Sequence, residues 1–129
     1  MANSSSVNSK TSLIPAVPTE SGIFPLTDLQ CEQIRDRVAE DLSRAGKVIS
    51  LKLPTIPIRF DLTGTAAGMY CRRGQDHWLR FNPWHFAANF KLHLQDTVTH
   101  EVAHYAVGHL FPGQRVKPHG PEWRGLMLA

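Results

Sequence analysis

The sequence predicts an α+β fold: an N-terminal helix, a small sheet of about three strands, and a buried helix carrying a His-Glu-x-x-His motif. Three observations point to it. Cys31, Ile34, Val38 and Leu42 recur at helical spacing. Between Ile56 and Pro83 the chain changes to short β-branched and aromatic runs separated by turn formers. From Leu94 to Leu110 apolar residues return on two faces of a helical repeat, with His100, Glu101 and His104 among them. A chain of 129 residues, 42% hydrophobic and 19% charged, suits one domain with a single core.

Residues 1–22, rich in Ser, Asn, Thr and Pro, are expected to form a flexible tail, leaving 23–129 as the folded domain. Thr27 and Gln30 have the spacing of a capping box, Asp28 suits the positive end of the helix dipole, and Gly46 offers a stop. The runs IPIRFDL, AGMYCRR and HWLRFNP read as strands, and Arg72–Asp76 as a hairpin connection. Asn82 before Pro83 fits an N-cap and first helical position. A longer helix is expected from about Leu94 to Leu110, ended by a Pro112-Gly113 turn, and Pro121 can start a short last helix with Trp123 and Met127.

Composition excludes some function classes. The two cysteines, Cys31 and Cys71, do not form a Cys-x-x-Cys pair, which argues against a disulfide framework and against a cysteine-built zinc ribbon. The amino end lacks the charged start and apolar run of a secretory signal, and no stretch approaches a membrane span, so a cytoplasmic, monomeric protein with reduced thiols is the expectation. The net charge of +3 permits an anionic partner such as DNA, but the basic residues are scattered.

The chemistry lies in His100-Glu101-Val102-Ala103-His104. Positions four apart on a helix differ by only about 40° round the axis, so His100 and His104 point the same way and can chelate one Zn²⁺. Glu101, about 100° from His100 and about 60° from His104, is beside that metal and suited to exchange protons with a metal-activated water. A third ligand is needed. His109 is turned about 140° from His104 and about 180° from His100, so it faces away. His119 lies past the Phe111–Gly113 turn, where the chain can double back, and is the candidate third ligand.

HEVAH, followed by KPHGPEWRGLM, together with the earlier TAAGMY and RFNP, resembles the SprT-like family of zinc metalloproteases over roughly residues 28–128. That family includes the bacterial SprT proteins and the protease domains of the Spartan enzymes that act on DNA–protein crosslinks. The resemblance implies a minimal zincin-like fold, one zinc per chain held by His100, His104 and His119, and Glu101 as the catalytic acid/base. It further implies an endopeptidase acting on a polypeptide substrate, with proteins associated with or crosslinked to DNA as candidates. In zincins an edge strand receives the substrate, and His77–Phe81 is the candidate for it. Bacterial members usually continue into a cysteine-rich zinc ribbon, which is expected to be absent here.

Other residues have plainer readings. Arg72, Arg73, Arg115, Lys117 and Arg124 could meet phosphates but read first as solvated charge. Asp96 could orient a ligand or simply favour its helix terminus, and Trp123 with Met127 reads as core. Tyr70 and Tyr105 could each donate to an oxyanion, although Tyr105 lies on an apolar side. The alternative function is a non-catalytic zinc-containing module that binds DNA or protein.

Overall fold

The computed structural model describes residues 24–111 and 119–128. The expected tail, the Pro112-Gly113 turn, Arg115 and Lys117 lie outside the described residues. The first helix, α1 (Asp28–Ile49), starts where the capping box predicts, with Thr27 accepting from the Gln30 N–H while the Gln30 side chain accepts from the Thr27 N–H. Cys31, Ile34, Val38 and Leu42 are all buried along one face. Gly46 does not stop the helix. It lets the next segment fold back: Leu51 donates to the Gly46 carbonyl at 3.0 Å, and a Cβ at position 46 would lie 2.7 Å from the Leu51 oxygen. Termination comes at Ser50, in left-handed conformation with φ 57°.

Three strands follow: β1 (Ile58–Arg59), β2 (Gly68–Arg73) and β3 (Asp76–Phe81). The sheet order is β1-β3-β2, with β1 parallel and β2 antiparallel to β3. Gly74 and Gln75 make the hairpin turn, Gly74 at φ 62°. Inward positions of β3 supply Leu79 and Phe81, both fully buried, while Trp78 and Arg80 lie on the opposite face. The run 77–81, expected as the free edge, is therefore the central strand: Leu79 and Arg80 pair with β2 on one side and β1 on the other. The free edge beside the helices is β2.

Asn82 caps α2 (Pro83–Ala88) by accepting from the N–H groups of Trp84 and His85. The predicted 94–110 helix is divided into α3 (Phe90–Gln95) and α4 (Thr97–Leu110), which meet at Asp96. Continuous apolar periodicity across the join hid this break. Helix α5 (Pro121–Leu128) closes the described chain.

Helix α4 is the central element. It packs against α1 on one side, β2 on another, and also contacts α3 and α5. Val98, Val102 and Ala106 are almost wholly buried, and Tyr105 is buried on the second face, donating its hydroxyl to the Pro54 carbonyl at 3.1 Å. A polar link reinforces the α1–α4 contact. Asp41, 3% exposed, pairs with Arg37 and Arg44 and accepts from the Thr99 hydroxyl at 2.8 Å, one residue before His100. None of the described helices is long and apolar enough to cross a membrane.

Candidate metal centre and active site

Burial on two sides fixes the roll of α4 about its axis, and that decides which way its polar residues point. His100 and His104, one turn apart, bring their Nε2 atoms to 3.2 Å. His119 approaches from the turn ahead of α5, with its Nε2 3.1 Å from that of His104 and 3.0 Å from that of His100. To aim its ring there, His119 adopts φ 56°, a left-handed conformation that costs a residue with a Cβ about 1 kcal/mol. Gly120, buried behind it, accepts the Arg124 N–H at 3.0 Å and so anchors the start of α5.

The donor set can be tested against a metal. A neutral imidazole has one N–H and one lone pair, so three Nε2 atoms in mutual contact cannot all satisfy one another by hydrogen bonds. With edges of 3.0–3.2 Å, the triangle has its centre about 1.8 Å from each nitrogen, just under the roughly 2.0–2.1 Å of a zinc–imidazole bond. The donor set and its spacing therefore fit a zinc ion. Among the described residues, these three histidines are the group able to hold a metal ion.

Electrostatics favour the ligating form. Burial and the neighbouring imidazoles of His100 and His119 push the His104 pKa down to about 4. Burial, then His119, lowers that of His100. Both rings are neutral at neutral pH, with lone pairs available.

Glu101 is 7% exposed, and one carboxylate oxygen lies 3.8 Å from the His100 Nε2. Burial raises its pKa to about 7, with a backbone hydrogen bond from Tyr70 acting in the opposite direction. That N–H is available because of register. Pairing across a two-residue turn directs the backbone groups of Gly68, Tyr70 and Arg72 away from β3, towards the free edge. Gly68 allows the close approach: a Cβ there would lie 2.8 Å from the Thr97 methyl and 3.1 Å from the Phe81 ring.

The remaining sequence candidates separate clearly. His109 is outside the triad and packs its ring 6.0 Å from that of Tyr105. Asp96 is exposed, makes no side-chain cap, and contributes its carbonyl to the His100 N–H. The Tyr105 hydroxyl is committed to Pro54. Tyr70, which nothing in the sequence distinguished, is tied to His77 through its hydroxyl and lies over Gly108, where a Cβ would be 2.9 Å from that oxygen.

Trp123 differs most from its expected role. Its helical spacing with Met127 suggested core, yet the indole lies against the triad, with centroids 4.7 Å from His100, 5.7 Å from His104 and 4.7 Å from His119. Its N–H donates to the His100 carbonyl at 3.2 Å. The four-residue step from His119 to Trp123 was the available signal.

Comparison with known proteins identifies a family. The SprT-like family model matches residues 32–129. Protein SprT of Pseudomonas aeruginosa strain LESB58 is 35% identical over 96 residues, covering 74% of this chain and 56% of that protein. Protein SprT of Pseudomonas fluorescens strain SBW25 is 37% identical over 98 residues, with 74% and 57% covered. This chain thus spans a little over half the length of these curated relatives. No solved structure gives a significant match. With the family model covering most of its length and relatives above 30% identity, the chain belongs to the SprT-like family.

Proposed function

We propose that the protein is a zinc-dependent metallopeptidase with a zincin-like site, cleaving polypeptide chains internally. The observation that carries this reading is the convergence of three imidazole nitrogens beside one buried carboxylate whose pKa is near neutrality. His100, His104 and His119 would hold the ion, and a zinc bound there would supply a Lewis acid and lower the pKa of a water.

The chain's own groups supply the rest. Glu101, held by the Tyr70 N–H, would take a proton from a water at the histidine face and return it to the departing amine. Burial raises its pKa in the metal-free protein, and a dication bound beside it would favour the ionised carboxylate, the form that accepts the proton first. Substrate would lie along the edge of β2, where Gly68 and Arg72 offer outward backbone groups. Contact with DNA is a further proposal, resting on exposed arginines such as Arg59, Arg72 and Arg73.

Zinc analysis paired with cleavage of an unfolded protein such as casein, with and without single-stranded DNA, tests the reading. The expected result is one zinc per chain in both wild type and Glu101→Gln, with cleavage by the wild type alone. One zinc without cleavage in either condition would favour a non-catalytic zinc module instead.

A further inference from the structure

We infer that Trp123 is a positioning residue for the metal, making α5 a clasp whose docking and metal binding are coupled. This rests on the metal reading above and extends it to a residue that ligates nothing. The indole touches all three imidazoles, edge-to-face with His100 and His119 at interplanar angles of 64° and 69°, and near-parallel with His104 at 27°. Its N–H meanwhile holds the His100 carbonyl. One side chain therefore links the helix that carries two ligands to the turn that carries the third.

The coupling has a physical direction. Coordination to a dication withdraws electron density from an imidazole and makes the ring more positive. An indole, whose π face is electron-rich, attracts such a ring more strongly than a neutral one. The Trp123 contacts are thus stronger with metal than without it. A contact that strengthens on binding must raise affinity by the same factor by which metal strengthens the contact. The left-handed backbone of His119 gives the contact something to hold in place, because that turn has an intrinsic tendency to relax.

The test uses the full chain, labelled with 5-fluorotryptophan and stripped with a chelator. Trp78, Trp84 and Trp123 give three fluorine resonances, and Trp123→Phe assigns one of them. Zinc addition is expected to shift the Trp123 resonance most. In chelator competition, Trp123→Ala is expected to weaken zinc binding about 10- to 100-fold, within the range for residues that orient metal ligands. Trp123→Phe, which keeps a ring and loses the N–H, should fall between the two. Should the alanine variant fail to fold by circular dichroism, the phenylalanine variant decides. Zinc affinity within about twofold of wild type in a folded variant, or a Trp123 resonance indifferent to zinc, overturns the inference and leaves the metal site standing. A wild type that takes up no zinc overturns both.

Discussion

Glu101→Gln should stabilise the metal-free protein at neutral and alkaline pH while removing its proposed chemistry. The carboxyl pKa rises from 4.5 in the unfolded reference to about 7 in the fold, chiefly through burial. At about 1.36 kcal/mol per unit, that difference corresponds to about 3 kcal/mol between protonation states. Because the folded pKa is raised, the favourable contribution is complete below pH 4.5 and is lost as pH rises through 7. Glutamine stays neutral throughout and keeps an oxygen to accept the Tyr70 N–H. Urea unfolding with chelator present, from pH 5 to 8, should show the variant's advantage growing towards about 3 kcal/mol. Zinc should narrow that gap, since a nearby dication favours the ionised carboxylate. A difference that stays flat across the range, or wild type gaining on the variant with rising pH, would refute the reasoning.

Gly68→Ala should destabilise by about 1–3 kcal/mol, because the new Cβ meets Thr97 and the fully buried Phe81; chemical denaturation measures this. Asp41→Ala should cost about 1–3 kcal/mol by the same assay, since it removes the buried acceptor that joins Thr99 to Arg37 and leaves their side chains to find solvent. Cys31 is buried, with its pKa raised to about 11, so a thiol reagent at pH 8 should modify the half-buried Cys71 first and reach Cys31 only on unfolding, as peptide mapping would show.

Local chemistry made much of this structure readable from sequence. The Thr27–Gln30 box, the Asn82-Pro83 start and the hairpin at Gly74 depend on residues within a few positions of one another, and each is found where expected. The rotation per residue of a helix likewise brought His100 and His104 together and turned His109 away. Tertiary relations were not readable. Which strand lies at the edge depends on β1 pairing with β3 across twenty residues, so the sequence alone points to 77–81 although that strand is central and β1 and β2 form the edges. The passage of α1 through Gly46 depends on the chain folding back at Leu51, and the break at Asp96 leaves no mark in the apolar repeat. Trp123 satisfies the pattern of a core residue because aromatic packing against imidazoles and against aliphatic side chains looks alike in one dimension.

The fifteen residues from His104 to His119 carry a consequence for durability. Both cysteines are free thiols, so no disulfide fastens this chain. An ion shared by those histidines would act as a reversible cross-link, and closing a loop of that length removes on the order of 3 kcal/mol of chain entropy from the unfolded state. Unlike a disulfide, such a link opens with a chelator or with acid rather than with a reductant. The same three nitrogens would then decide both whether the protein can react and how long α5 stays attached.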